Sequence, residues 1–474
     1  MSLRSYPINI CPHIPAARPM NRFDAANVET SLIYNPRVLT RRQLLSGFVV
    51  ATAAAAVPEL SCAQEAAALR INAARLQQSL EGLSLYGRPT GGTFADGVSR
   101  VAYSDADVAG RKYAMGLMRA AALAPRIDSA GNITAVRPGS NSSLKPILFG
   151  SHIDSVPSGG NFDGDLGSLS AIEVMHTLHD HNLSTRHSLQ VVIWENEEGG
   201  LVGSRIAAGE SPDLTRQYNG VRFADGLRKI GGDPARLGQA RIAPGSFRCY
   251  LELHIEQGGN LDKAGIPIGV VEGIVSIDEY AVEIRGFANH AGTTPMPERR
   301  NALLAAARLI ETVQQVVTRE PGRQVGTVGH IEVYPNATNV VPGLVKHSIE
   351  LRDLSPEKIA RLGEEIRRQA QQIARETSTE ITIKHLENDP PAMANPQIQA
   401  QIEQAAASLG LKTMRLPSGA GHDAQMMARL GPMGMIFVPS VGGISHSPKE
   451  LTRWSDCANG ANVLLQTILR IDRM

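Results

Sequence analysis

The sequence predicts an α/β fold: an open sheet whose strands end in charged, glycine-rich loops, interrupted by an α+β module of ferredoxin-like order. Three observations carry this expectation. Apolar runs at Pro146–Phe149 and Ser188–Trp194 each lead straight into glycine and ionisable residues. The first of these loops passes into a helix, where Leu166, Leu169, Ile172 and Leu178 repeat at helical spacing. From Ile277 to His385 the patterns follow in the order strand, helix, strand, strand, helix, strand.

A chain of 474 residues with a formal charge of +1 predicts two or three domains. The near-zero charge argues against nucleic acid or an anionic membrane as the main partner. Plentiful glycine and sparse aromatics fit a loop-rich enzyme. The four cysteines, Cys11, Cys62, Cys249 and Cys457, form no C-x-x-C, which argues against a thiolate zinc site and a disulfide framework.

Residues 1–39 show no periodicity and read as unstructured, or as an over-long translation start with Met20 as the alternative. Arg41-Arg42 ahead of the Ala-rich, modestly apolar Gly47–Val57 resembles a twin-arginine export signal, with Ser61-Cys62-Ala63 as its cleavage site. A lipoprotein site at Cys62 is the rival, disfavoured by Glu59. The apolar stretch is too short for a stable membrane span. The expected location is therefore periplasmic, or cytoplasmic should the segment not function.

The remaining elements follow in order. Helices are expected at Glu65–Leu83 and Ser104–Ala122, and a hairpin at Pro125–Val136, turning at Ala130-Gly131-Asn132. Tyr250–Gly258 alternates Leu251, Leu253 and Ile255 against Glu252, His254 and Glu256, as a half-buried strand does. Around Gly269–Ser276 the character changes. Helices at Arg299–Val317 and from Ser355-Pro356 onward lie within the ferredoxin-like module. After Asn388-Asp389-Pro390-Pro391 come a helix at Ile398–Ser408, a glycine loop at Leu416–Ala424, an apolar strand at Gly434–Pro439 and a last helix at Leu451–Ile471. The expected domains are residues 1–63 (N-terminus and signal), 64–273 and 388–474 (catalytic), and 274–387 (inserted).

The chemistry sits at strand ends, where open α/β sheets bind ligands. In G-S-H-I-D-S-V-P-S-G-G-N-F-D-G, His152 and Asp154 share one face of an extended chain, and the loop delivers Asp163. Imidazole and carboxylate suit a borderline cation such as Zn²⁺. Asp163 has two oxygens and can bridge two ions, while Asp154 can hold the His152 ring from behind. Glu197 and Glu198 are adjacent and point apart, so one can bind metal while the other stays free as a base. His254 and His446 stand at two further strand ends. Any one of these alone reads as a structural histidine or a solvated acidic loop; four strand ends together do not.

With these residues in view, the chain from about Glu65 onward resembles the di-metal amidohydrolases that include N-carbamoyl-L-amino-acid hydrolase, allantoate amidohydrolase, ureidoglycolate amidohydrolase and β-ureidopropionase. These belong with the aminoacylase and glutamate-carboxypeptidase-like metallopeptidases. The resemblance rests on the stretch above together with N-E-E-G, H-I-E-Q-G, N-H-A-G-T-T-P-M, N-A-T-N-V-V-P-G, S-G-A-G-H-D-A and G-I-S-H-S-P. It implies a mixed-sheet catalytic domain of di-metal exopeptidase type, an inserted lid and dimerisation domain, and two divalent ions per subunit, Zn²⁺ or Mn²⁺. His152, Asp163 and His254 would hold one ion, and Asp163, Glu198 and His446 the other. Glu197 would be the general base. Asn339 and Arg352 would bind substrate, Arg352 by a bidentate grip on a carboxylate. Gln257 and His422 would be their neighbours, and His290 would reach a partner subunit's site to stabilise an oxyanion. The implied reaction is hydrolysis of a linear carbamoyl or ureido C–N bond in a small carboxylate-bearing molecule by a homodimer. An aminoacylase or dipeptidase on the same scaffold is the alternative. Two departures stand out: Asn301 where relatives often have Asp, and an insertion-like Gly199-Gly200-Leu201-Val202 after Glu198.

Overall fold

The computed structural model describes residues 69–474. The paired arginines, Cys62 and the expected start of the first helix lie outside them. That helix is observed at Ala73–Leu83, capped by Asn72, and the next at Asp105–Ala120, capped by Ser104.

In chain order the strands are β1 (Arg126–Ile127), β2 (Ile133–Arg137), β3 (Ile147–His152), β4 (Leu189–Trp194), β5 (Gln217–Tyr218), β6 (Val221–Arg222), β7 (Cys249–Ile255), β8 (Ile268–Ile274), β9 (Ser276–Arg285), β10 (Asn289–His290), β11 (Val325–Thr327), β12 (Ile331–Tyr334), β13 (Val340–Val341), β14 (Leu344–Asp353), β15 (Glu380–Asp389), β16 (Ala392–Met393), β17 (Thr413–Ser418) and β18 (Met433–Val438). A nine-stranded sheet runs β1-β2-β4-β3-β7-β18-β8-β16, with β17 also beside β8. The run β4, β3, β7, β18 is parallel; β2 lies antiparallel to β4, and β8 to β18. The fold is therefore α/β with a mixed sheet. Its parallel centre brings the carboxyl ends of β3, β4, β7 and β18 to one edge.

β7 is buried along its whole length, not half-buried as its alternation predicts. It lies between β3 and β18, and both its faces are covered. Leu251, Leu253 and Ile255 join the main apolar core, with Leu166 and Leu169 of the Asp165–Asp180 helix and Leu464 and Leu465 of the Trp454–Asp472 helix. Tyr250 packs into a second core on the other face, with Trp194 and Phe437.

Among the strands without a clear signal in the sequence are β8 and β17 of the main sheet. β8 and β17 pair in parallel where the chain reads as a change of character and a glycine loop. Gly269 obscures β8, yet the sheet needs it. A Cβ there would sit 2.8 Å from Leu416 and 2.9 Å from Phe437.

The second sheet has the order β11-β14-β9-β15, with β12 also on β14, and is antiparallel throughout. Helices Ala302–Arg319 and Pro356–Thr377 supply Leu309, Val313, Ile359 and Ile366 to its core. Asn301 caps the first of these helices, its Oδ1 accepting Leu303 N at 3.0 Å and Leu304 N at 3.2 Å. An aspartate would accept the same bonds, so this departure is confined to a helix start. Among the described residues no helix is long and apolar enough to cross a membrane.

Candidate metal centre and active site

Four loops at the carboxyl edge converge on Asp163. His152 ends β3, and its Nε2 lies 3.7 Å from Asp163 Oδ1. His254, near the end of β7, brings Nε2 to 3.2 Å from the same oxygen. His446, in the loop after β18, brings Nε2 to 3.2 Å from Asp163 Oδ2. Glu198 Oε2 lies 3.6 Å from His446 Nε2, and Glu197 Oε2 3.7 Å from His152 Nε2. The two adjacent glutamates thus serve opposite sides of the cluster. Two sets, His152–Asp163–His254 and Asp163–Glu198–His446, have all their ligand atoms within 4.8 Å of one another.

The donor chemistry of this cluster fits cations. His152 Nδ1 lies 3.0 Å from Asp154 O, and His254 Nδ1 lies 2.9 Å from Ile255 O. A carbonyl only accepts, so each Nδ1 carries its ring's proton and each Nε2 turns a lone pair toward Asp163. Gly164 N, which donates to His254 Nε2 at 3.3 Å, agrees with that tautomer. In the neutral rings, lone pairs facing a carboxylate at this range call for positive charge between them, from a metal ion or from a proton on Nε2. Glu198 Oε1 is also buried without a hydrogen-bond partner.

The electrostatics point the same way. Burial lifts Glu197 well above the usual carboxylate range, with Glu198, Asp423, Asp154 and Asp163 adding repulsion. Burial, then Asp163 and Asp154, lifts Glu198 to about 8. Burial pushes His152 down to about 4. Burial also opposes charge on His254, but the hydrogen bond that a protonated Nε2 makes to Asp163, with the charges of Asp163 and Glu252, outweighs it and raises the ring to about 9, so a proton takes that place when no metal ion does. The surroundings of His254 thus favour a cation at that point.

Loop geometry sets the spacing. Gly164 has φ +65°, and a Cβ there would lie 2.3 Å from His152 Cε1, so only glycine lets the ring stand beside Asp163. The Asp154 carboxylate accepts Glu197 N and Glu198 N, each at 3.1 Å. The sequence places that carboxylate behind His152; in the structure the Asp154 backbone carbonyl takes that place, and the carboxylate holds the acidic loop. Its Oδ1 is 3.7 Å from His152 Nδ1, beyond hydrogen-bond range. The insertion-like residues form a turn behind Glu197, whose carbonyl accepts Gly200 N and Leu201 N, both at 2.8 Å.

Of the expected substrate residues, Gln257 donates from Nε2 to Asp163 Oδ2 at 2.8 Å. His422 is buried, meets Ser418 Oγ through Nε2 at 2.8 Å, and packs edge-on against His254 at 4.4 Å between ring centroids. His290 and Asn339 lie together at a separate two-stranded ladder of β10 and β13. His290 pairs with Val340, and Asn339 O accepts Ala291 N at 2.9 Å. Both are exposed, and no hydrogen bond or ion pair among the described residues joins them to the Asp163 cluster. His290 Nδ1 accepts Gly292 N at 3.0 Å and Thr293 N at 3.2 Å, which leaves its ring proton on Nε2. Arg352 donates to Glu350 Oε1 at 2.8 Å and to Gly419 O at 2.6 Å, so it already touches the His422 loop.

The sequence reading misses Glu450 and Ser445. Glu450 Oε1 accepts Phe162 N at 2.9 Å and Asp163 N at 3.1 Å, and Ser445 Oγ donates to Asp163 Oδ2 at 3.0 Å. Beside Lys449, Glu450 looks like a solvated charge; only its place four residues after His446 points to the site.

Comparison with known proteins agrees with this geometry. The model of Peptidase family M20/M25/M40 matches residues 148–470. The N-carbamoyl-L-amino acid amidohydrolase of Geobacillus stearothermophilus is 38% identical over 409 residues, 85% of this chain and 99% of that protein. The ureidoglycolate hydrolase of Arabidopsis thaliana is 34% identical, covering 86% of this chain and 88% of its own. A hydantoinase/carbamoylase family amidase from Burkholderia multivorans superposes with a TM-score of 0.78 at 33% identity, over 86% of this chain and 99% of that one. With a mixed α/β sheet whose carboxyl edge gathers these imidazoles and carboxylates, the chain belongs to peptidase family M20/M25/M40.

Proposed function

We propose that this chain is a metal-dependent amidohydrolase that cleaves a linear carbamoyl or ureido C–N bond in a carboxylate-bearing substrate, such as an N-carbamoyl-L-amino acid or allantoate. The observation that carries the reading is the convergence of three imidazole Nε2 atoms on the two oxygens of Asp163, with Glu197 beside them. The names of the relatives, an N-carbamoyl-L-amino acid amidohydrolase and a ureidoglycolate hydrolase, support the substrate class.

His152, Asp163 and His254 would hold one divalent ion, and Asp163, Glu198 and His446 a second, Zn²⁺ or Mn²⁺. Such ions supply Lewis acidity, polarising a carbonyl and making water easier to deprotonate. Glu197 is the base: burial raises its proton affinity, and the charge of the two ions would offset that rise and keep it ionised, so that it takes a proton from the attacking water and returns it to the departing nitrogen. His290 offers Nε2–H to the developing oxyanion. Arg352 grips the substrate carboxylate, exchanging its present contacts with Glu350 and Gly419 for that ligand. The carbamate product decays to carbon dioxide and ammonia.

The same proposal has the 274–387 segment act as lid and dimer contact between the catalytic parts 64–273 and 388–474, which suits the exposure of His290. It also has the chain exported through its paired arginines. Sedimentation and cell fractionation test these two points. The chemistry is tested by a panel of N-carbamoyl amino acids, allantoate and ureidoglycolate, assayed for ammonia with Zn²⁺ and with Mn²⁺. Turnover of N-acetyl or peptide substrates alone would overturn it in favour of an aminoacylase or dipeptidase.

A further inference from the structure

The segment from Phe94 to Arg100 precedes the stretch matched by the family model, yet it runs along the loop that carries the candidate ligands. Val98 N donates to Gly159 O at 3.1 Å, and Gly159 N to Val98 O at 2.8 Å. Ser158 N donates to Ser99 Oγ at 2.8 Å, and Asn161 Nδ2 to Phe94 O at 2.6 Å. Arg100 N donates to Ser155 Oγ at 2.9 Å, and Ser155 N to Arg100 O at 3.1 Å. A strap of backbone and side-chain hydrogen bonds thus spans most of the loop between His152 and Asp163.

The Arg100 side chain anchors this strap. It is fully buried. Its Nε donates at 2.6 Å to the carbonyl of Ile153, the residue between His152 and Asp154. Its Nη2 pairs with Asp165, two residues past Asp163. Its Nη1 donates to Leu83 O at 3.1 Å and Tyr86 O at 2.9 Å, tying the whole to the end of the first helix. A rigid planar fork can serve these directions at once; a lysine, as a point charge on a flexible stem, cannot.

We propose that Arg100 is a positioning residue for the metal centre: one guanidinium fixes the backbone at both His152 and Asp163 and so sets the distance between the two ligands. The inference rests on the di-metal reading above. Arg100 touches neither a ligand atom nor the substrate site; it acts through the chain that carries them.

The test uses the full chain, with Arg100→Lys, Ser155→Ala and Arg75→Ala beside the wild type. Arg75→Ala is the stability control: Arg75 pairs with Glu173 and Asp180 on the helix that starts at Asp165, away from the ligands. Zn²⁺ affinity is read by competition with a chromophoric chelator, and ligand geometry by the visible spectrum of the Co²⁺ form. Arg100→Lys is expected to weaken Zn²⁺ by about 10- to 100-fold and to alter the Co²⁺ spectrum, with Arg75→Ala as wild type. Should Arg100→Lys fail to fold, Ser155→Ala, which removes the acceptor of Arg100 N and a local bond to Val156 O while leaving the guanidinium in place, carries the test of the strap with a smaller loss in the same direction. Wild-type affinity and spectrum in the folded variant, or an equal loss in Arg75→Ala, overturns the proposal. A wild type that binds neither ion overturns the di-metal reading itself, and this inference with it.

Discussion

The carboxylate of Asp154 accepts the backbone N–H of Glu197 at 3.1 Å, and its second oxygen takes that of Glu198 at 3.1 Å. One buried acid thereby orients two others whose side chains diverge. In Asp154→Asn an amide N–H₂ must face one of those N–H groups, leaving a buried donor without an acceptor. The expected cost is about 1–3 kcal/mol of stability, with kcat falling more than KM changes. Thermal melts and steady-state kinetics check it; an unchanged kcat would show that the acidic loop needs no such support.

Glu197→Gln keeps the shape of the cluster but removes its base. Metal content should stay at the wild-type level while turnover falls by about 10²–10⁴-fold. Metal analysis alongside kcat separates this from a loss of binding, and retained turnover would refute the role.

Gly164→Ala tests the loop that brings Asp163 to His152. The backbone stands at φ +65°, and the new methyl would meet the imidazole at 2.3 Å. That φ with ψ −43° is a sparsely populated region for alanine and costs roughly 1–3 kcal/mol, and the ring must also move. Weaker metal binding in a chain that still folds is expected, read by chelator competition and circular dichroism.

Arg352→Lys should raise KM for carboxylate-bearing substrates by about 10- to 100-fold, the value of a charged hydrogen bond, with kcat little changed. The amide analogue of the same substrate should show no such difference. An equal loss on both would mean that Arg352 matters only through its bond to Gly419 O.

Cys249 and Cys457 are buried and free. Burial pushes the Cys249 thiol up to about 12 and raises that of Cys457. In a chain carrying Cys11→Ser and Cys62→Ser, a thiol reagent at mildly alkaline pH should therefore give no colour until denaturant is added, and then titrate two thiols. Reaction in the native chain would contradict the burial.

What the sequence determined by itself was local. Strand, glycine loop and helix follow one another within the stretch from Ile147 to Leu178, so His152 and Asp163 are legible together. Hydrophobic period separates the second sheet's elements, and the cap Ser355 marks its second helix, while the first begins at Ala302 after the Asn301 cap rather than at Arg299. The resemblance then named His254, Glu198 and His446 as partners of Asp163. Tertiary structure decided what depends on neighbours distant in sequence. β7 is buried because β3 and β18 flank it, and β8 is a strand because the sheet closes over Gly269. The Asp154 carboxylate turns to the Glu197 loop because two N–H groups from another strand end need an acceptor. Glu450 looks like a solvated charge in the chain, and nothing in the sequence singles out Arg100. Only folding surrounds them with donors and acceptors, Asp163 N for the one and Ile153 O for the other, since burying a charge is tolerable only where such partners already wait.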